Sequence, residues 1–250
     1  TIIQGYVTDV VTDLTLNWFI EKRNKEKPFL MMYLHKAPHR PWWPSPEKFA
    51  EFYEKEFPEP ETLFDDYKGR GSAAKSAEMN ILTHMQYMHD SKIRPSTLEE
   101  MGEVNPEIVY YRIDGTEYRP GPGGFLVPFN RGTPDQIAKY NVTLDKINND
   151  FKENWPKMND KEKMQWKFQR YMQDYLATIS SIDDNVGRVL DYLEENNLED
   201  NTLVVYTSDQ GFYLGEHGWY DKRFIYDESF KTPLLIRWPN KIEPGITSDE

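Results

Sequence analysis

Cysteine is absent from all 250 residues, which excludes disulfides, thiolate metal sites and a cysteine nucleophile within the chain. No apolar run is long enough to cross a membrane. Positive charge is in deficit, with 30 Lys and Arg against 42 Asp and Glu, a net −12. Such a surface repels a nucleic-acid backbone. It still admits a small anion, because a few Lys and His residues can reverse the sign inside a pocket. Internal repeats and low-complexity tracts are missing, as are a starting Met and a signal-peptide pattern. The chain opens at Thr1 and closes on GITSDE, and both ends read as cut, so the expectation is a piece of a larger protein. What is present is a globular composition, 38% hydrophobic and 14% aromatic, in enough chain for one large or two small domains.

Helix and strand signals alternate. VTDVVTDLTLNWFIEKRN places Val7, Val10, Val11, Leu14, Leu16, Trp18 and Phe19 mostly at helical spacing, and Pro28 prevents continuation. PFLMMYLH then offers an unbroken apolar run from Phe29 to Leu34, the pattern of a strand buried on both faces. KAPHRPWWPSPEKF follows, with four prolines between positions 38 and 46, which excludes regular structure there. Residues 47–66 carry eight acids against two lysines and read as surface.

Residues 67–105 look helical and then polar, so His84 and His89 read as ordinary helix residues in ILTHMQYMHD. IVYYRIDGTEYRPGPGG suggests a hairpin turning at Asp114-Gly115. The whole of 60–155 resembles an insertion carried on a sheet. The clearest helix is NDKEKMQWKFQRYMQDYLATISSIDDNVGRVLDYLEENN. Its stripe runs through Met164, Phe168, Tyr171, Tyr175, Ile179, Ile182, Val186, Val189 and Leu193, and Asn159 or Asp160 can cap its start. TLVVYTSD and TPLLIRWP are further buried-strand candidates. Helix, buried strand and polar loop thus recur, which predicts an α/β fold with a doubly wound, largely parallel sheet flanked by helices.

Two loops at predicted strand ends hold most of the concentrated chemistry: LHKAPHRPWWP and SDQGFYLGEHGWYDK. In an open α/β sheet, ligands sit outside the carboxyl ends of strands, so both loops are expected to line one site. Asp209 and Gln210 are oxygen donors suited to a hard cation, Ca²⁺ or Mg²⁺, although Asp-Gln-Gly is equally the composition of a plain turn. Lys222 can hold one oxygen of a tetrahedral anion as a point charge, or be a solvated lysine. His217 lies between glycines in GEHG, with room to face a ligand or to form a surface turn. His39, between Pro38 and Pro41, is placed as a general acid would be, or as a structural histidine bonded to backbone. Trp42, Trp43, Trp219 and Tyr220 suit stacking on sugar faces and suit loop packing equally.

Together, TLVVYTSDQGFYLGEHGWYDKRFIYDESFKTPLLIRWP, PFLMMYLHKAPHRPWWPSPEKF and SSIDDNVGRVLDYLEENN resemble the type I, formylglycine-dependent sulfatases of the alkaline-phosphatase superfamily. The likeness is greatest to the bacterial branch similar to N-acetylglucosamine-6-sulfatase and iduronate-2-sulfatase. It covers roughly residues 1–50 and 165–245 as three motifs in order. It implies Asp209 and Gln210 as metal ligands, with Ca²⁺ the expected ion and Mg²⁺ the alternative. Lys222 would hold a sulfate oxygen, and His39 would assist departure of the alcohol. His217, Lys222 and Arg223 would line the substrate site.

The implied activity is sulfuric ester hydrolysis on a sulfated sugar of glycosaminoglycan or mucin type, with no nucleic acid as partner, in the periplasm or secreted. The family's Cys/Ser-x-Pro-x-Arg motif, source of the formylglycine, does not occur here, and the RPST stretch lacks its order. Nor do the Asp pair that completes the metal shell or the smaller carboxyl-terminal subdomain. The formylglycine is therefore expected outside 1–250, and the isolated chain is expected to be inactive. Two other readings stay open. One is a phosphodiesterase or phosphonate hydrolase of the same superfamily, disfavoured because Gln210 is a poor zinc ligand. The other is a non-catalytic glycan-binding protein derived from a sulfatase. Asn141-Val142-Thr143 is a glycosylation sequon, informative only in a eukaryotic source.

Overall fold

A computed structural model describes residues 2–104, 106, 110–111, 114, 116–118 and 123–248. In chain order the elements are α1 (Val7–Asn17), α2 (Pro46–Tyr53), α3 (Ser72–Lys75), α4 (Pro95–Met101), β1 (Tyr110–Tyr111), β2 (Glu117–Tyr118), α5 (Gly123–Arg131), α6 (Pro134–Asn154), α7 (Asp160–Glu195), β3 (Val204–Thr207), β4 (Tyr213–Leu214), β5 (Tyr220–Asp221), α8 (Asp227–Phe230) and β6 (Leu234–Arg237).

The 36-residue α7 is the axis of the molecule, and α1 and α2 pack against it. Its start is fixed by reciprocal bonds, Asn159 Oδ1 accepting from the Glu162 N–H and Glu162 Oε2 from the Asn159 N–H. Met164, Phe168, Tyr171, Tyr175, Ile182 and Leu193 of the expected stripe are buried. One apolar core gathers Trp42, Leu63, Met79, Ile81 and Met85 with Phe168, Tyr171, Tyr213 and Trp219. A second gathers Phe49, Ile93 and Leu98 with Leu144, Ile147, Phe151 and Trp155, where α2, α4 and α6 meet. Residues 60–155 therefore pack into both cores.

Four expectations are corrected. α1 turns Thr8, Thr12 and Thr15 inward and leaves Val7 and Leu14 exposed. Thr12 and Thr15 donate their hydroxyls back to the Thr8 and Val11 carbonyls, both at 2.9 Å, so they enter the interface without an unpaired donor. Asn185 and Arg188 of α7 then bond Asp9 and Asp13 on the same helix.

The run Phe29–Leu34 forms no ladder among the described residues. It alternates, with Leu30, Met32 and Leu34 outward and Phe29 packed edge-on against Phe19. The α/β class stands, but the sheets among the described residues are two-stranded and antiparallel. β3 pairs with β6, Val204 opposite Arg237, and Val205, Leu234 and Leu235 of this pair are exposed rather than buried.

ILTHMQYMHD, expected as helix, is a series of turns. Asn80 Oδ1 accepts from the Leu82 and Thr83 N–H groups, and Asp90 Oδ2 from that of Gln86, so side chains displace the helical ladder. The expected hairpin is present as β1–β2, with Asp114 Oδ1 accepting from the Thr116 N–H at 2.9 Å; Gly115 lies outside the described residues. Among the described residues no helix is long and apolar enough to cross a membrane.

Candidate active site

The proline-rich loop after Leu34 is built on buried charge. Arg40 donates through Nε and Nη2 to both oxygens of Asp90, a carboxylate fully buried in the 80–92 turns. Burial pushes the Asp90 carboxyl up, but the charge and hydrogen bonds of Arg40 outweigh it and hold it below the usual carboxylate range. The Arg40 guanidinium also lies 5.4 Å from the Tyr220 ring centroid. Trp42 is fully buried, donates from Nε1 to the Pro38 carbonyl at 2.8 Å and meets Tyr171 and Phe212.

On this support His39 is exposed. Its Nδ1 sits 2.7 Å from the Arg40 carbonyl. A carbonyl can only accept, so Nδ1 carries a proton and Nε2 is the nitrogen left for a ligand.

The 80–92 turns have a second anchor. Lys167 of α7, fully buried, donates from Nζ to the Leu82 and Met85 carbonyls, each at 2.8 Å, with its ammonium 4.4 Å from the Tyr87 ring centroid. Burial pushes its ammonium down to about 7.

The loop after β3 is more open. Asp209 is exposed, and Ser208 Oγ donates to the Gln210 carbonyl at 2.9 Å. Gly211 is required by close approach: a Cβ there would stand 2.1 Å from the Glu228 carbonyl oxygen and 2.5 Å from that of Lys231. The Gly211 and Phe212 N–H groups bond the Ser229 and Glu228 carbonyls, tying this loop to α8.

Lys222 follows β5 and is half-buried, and its carbonyl accepts from Ser229 Oγ at 3.0 Å. Among the described residues its ammonium has no hydrogen-bond or ion-pair partner, so it is available to an anion. Arg223 is not free in that sense, since it pairs with Asp221 at 2.8 Å.

His217 is held rather than loose. Its side chain is 12% exposed, Nδ1 lies 2.9 Å from Asp65 Oδ2, and its backbone takes φ 57°. Gly218, at φ +71°, lets the turn approach the core, because a Cβ would meet Met164 Cε at 2.7 Å and the Leu63 carbonyl oxygen at 2.8 Å.

The two loops are thus brought together, by Trp42 against Phe212 and by Arg40 over Tyr220, although the first follows a run that forms no ladder among the described residues. Trp42, Trp219 and Tyr220 are buried in the first core and Trp43 packs on the second, so all four are packing residues and not exposed sugar platforms. Sequence reasoning missed Asp65 and Asp90, each paired across a long sequence gap and each lying in a stretch with no periodic or motif signal.

Asp209 and Gln210 present only oxygen donors, chemistry that fits a hard divalent cation and not zinc. Among the described residues no group of three or more His, Cys, Asp and Glu side chains could hold a metal, so a cation held there would need further ligands.

Comparison with known proteins gives a family model described as Sulfatase, matching residues 2–250. An N-acetylglucosamine-6-O-sulfatase of Bacteroides thetaiotaomicron is 43% identical over 245 residues, 98% of this chain and 40% of that protein. The N-acetylglucosamine-6-sulfatase of Capra hircus is 24% identical over 97% of this chain and 29% of its own length. A solved structure described as a complex with its substrate D-glucosamine-2-N,6-O-disulfate superposes with a TM-score of 0.81 at 39% identity, covering 98% of this chain and 45% of that one. The chain therefore spans less than half the length of the relatives it matches.

Proposed function

Because the chain belongs to the sulfatase family, with that family's alkaline-phosphatase-like α/β fold, we propose that the protein carrying it hydrolyses a sulfate ester on a sugar, specifically the 6-O-sulfate of an N-acetylglucosamine unit. The observation that supports this reading is that two touching loops carry an exposed His39, its Nδ1 bonded to a carbonyl, and a Lys222 whose ammonium has no partner among the described residues.

In this reading Lys222 places its ammonium against a sulfate oxygen, where it stabilises charge shared by substrate and transition state. His39 delivers the proton. Its Nδ1–H is committed to the Arg40 carbonyl, so the proton delivered is the second one, on Nε2 of the imidazolium; it passes to the departing sugar oxygen as the S–O bond breaks and leaves the neutral Nδ1–H ring. Asp209 and Gln210 would hold Ca²⁺, with Mg²⁺ the alternative, as two of the oxygens of a larger shell. Bound there, the ion would supply Lewis-acid stabilisation of sulfate charge. The attacking formylglycine and the remaining ligands lie, in this proposal, in parts of the protein beyond residues 1–250. Arg223, occupied by Asp221, steadies the turn before Lys222 and contributes positive charge at its rim. A sulfated glycan as substrate places the protein in the periplasm or outside the cell.

The test is release of inorganic sulfate by the whole protein, with Ca²⁺, from 6-O-sulfated N-acetylglucosamine, alongside nitrophenyl sulfate and a phosphodiester. Sulfate release abolished by chelation and restored by Ca²⁺ is expected. Preference for the phosphodiester, or sugar binding without turnover, would replace this reading with one of its alternatives.

A further inference from the structure

A short segment outside both motif loops grips the His217 turn. Thr62 Oγ1 accepts the His217 N–H at 3.0 Å, and Tyr67 donates its hydroxyl to the His217 carbonyl at 2.6 Å. Asp65 Oδ2 lies 2.9 Å from the imidazole Nδ1. A non-glycine residue at positive φ is strained and persists where its surroundings over-determine it. Here Thr62, Asp65 and Tyr67 do so together. Tyr67 also stacks on Trp219, and Trp219 and Tyr226 flank the imidazole.

The charges around the ring decide which nitrogen carries a proton. Arg70 Nη2 is 2.7 Å from Asp65 Oδ2, and Glu228 Oε1 is 3.6 Å from His217 Nε2. Burial pushes the Asp65 carboxyl up, but the His217 and Tyr67 hydrogen bonds and the Arg70 charge hold it below the usual range. An ionised carboxylate only accepts, so Nδ1 carries a proton, and in the uncharged form of the ring the lone pair sits at Nε2. Glu228 Oε1, 3.6 Å away, is an acceptor like that lone pair, so neither can bond the other. They stand side by side as two acceptors, and adjacent hydroxyls of a sugar ring offer a matching pair of donors.

We propose that Asp65 is a positioning residue which, through His217, sets the tautomer that receives a sugar hydroxyl, and so favours a sugar sulfate over a simple aryl sulfate. This rests on the sulfatase reading above, and its test separates the two.

Asp65→Asn keeps an oxygen for the Tyr67 N–H, which Asp65 Oδ1 accepts at 2.8 Å. Its amide NH₂ then faces His217 Nδ1, a donor where an acceptor was, and drives the proton to Nε2. In the whole protein, D65N is expected to lose roughly 10- to 100-fold in kcat/KM on 6-O-sulfated N-acetylglucosamine and less than about twofold on nitrophenyl sulfate, the worth of one charge-assisted hydrogen bond. The double variant D65N/H217A should lose no more than H217A alone, because the two residues act as a unit. R70Q, which removes the other partner of Asp65, should leave both substrates nearly unchanged. Equal losses on the two substrates, additive losses in the double variant, or a matching loss in R70Q would each overturn the proposal.

Imidazole ¹⁵N resonances give a readout independent of turnover. The wild-type protein should carry the His217 proton on Nδ1, D65N on Nε2, and only the wild-type Nε2 signal should shift on addition of glucosamine-6-sulfate. A wild-type protein inactive on both sulfates would sink the sulfatase reading, and the NMR result would still decide this one. A wild-type Nε2 that ignores the sugar overturns it.

Discussion

The His39 loop and the Asp209 loop touch through Trp42 and Phe212, yet they are held in unlike ways. Beneath His39 lie a buried Arg40–Asp90 pair, a fully buried Trp42 and, one layer down, Lys167 bonded to the carbonyls of the turns that carry Asp90. Beneath Asp209 there is mainly backbone, with Gly211 packed against the carbonyls of residues 228 and 231. A group that moves a proton must be held in one place and one tautomer, and a rigid polar scaffold does that. A carboxylate awaiting a cation gains its final geometry from the ion and the other ligands, so it can stand exposed. The contrast teaches that the proposed proton donor stands on buried side chains of this chain, whereas the proposed metal ligands stand on an open loop held mainly by backbone.

The largest expected effect comes from cutting the scaffold. Asp90→Ala removes the carboxylate that Arg40 bonds through both Nε and Nη2, and removing one partner of a buried pair typically costs about 3–5 kcal/mol. Denaturant unfolding of the whole protein should register that loss. A change below about 1 kcal/mol would mean that the pair contributes little, as exposed ion pairs do.

Lys167 adds a pH signature. Its folded pKa, about 7, lies below its ordinary value of 10.5. Between those values the unfolded chain binds the extra proton, so stability rises with pH across this window. Below pH 7 the cost of burying the charge is fully present. Relative to Lys167→Met, wild-type stability should climb by up to about 1.4 kcal/mol per pH unit between pH 7.5 and 9.5. Parallel curves for the two proteins would remove Lys167 from the scaffold's electrostatics.

Smaller effects are expected on the other loop. Gly211→Ala must displace the backbone of residues 228–231 and should cost about 1–3 kcal/mol, the range for overpacking. Asp209→Ala should change stability by no more than about 0.5 kcal/mol, since the side chain is exposed. The same variant should weaken Ca²⁺ binding by the whole protein, measured calorimetrically. Unchanged Ca²⁺ affinity would take Asp209 out of the metal site.

Legibility in the sequence follows the same division. The long α7, its Asn159 cap and its apolar stripe were readable because each is a local pattern. The two loops do touch as expected, but the strand-end argument does not explain it, because the run before the first loop forms no ladder among the described residues. The face of α1 was misjudged because Thr12 and Thr15 satisfy their own hydroxyls and can be buried like small apolar residues. β3 and β6 lie where the apolar runs predict strands, but apolar content does not mean burial there, since Val205, Leu234 and Leu235 are exposed. Asp65 and Asp90 were invisible because their partners, His217 and Arg40, lie 152 and 50 residues away. One stood in a stretch read as acidic surface, the other in a stretch read as helix.

Leaving-group dependence tests the central assignment most directly. A sugar alkoxide is strongly basic and needs a proton as it departs, whereas nitrophenolate leaves readily without one. His39→Ala in the whole protein should therefore lose roughly 10²–10⁴-fold in kcat/KM on 6-O-sulfated N-acetylglucosamine and distinctly less on nitrophenyl sulfate. Lys222→Ala, which removes a contact to the sulfate shared by both, should lose similar factors on each. Equal losses for His39→Ala on the two substrates would contradict its role as the proton donor.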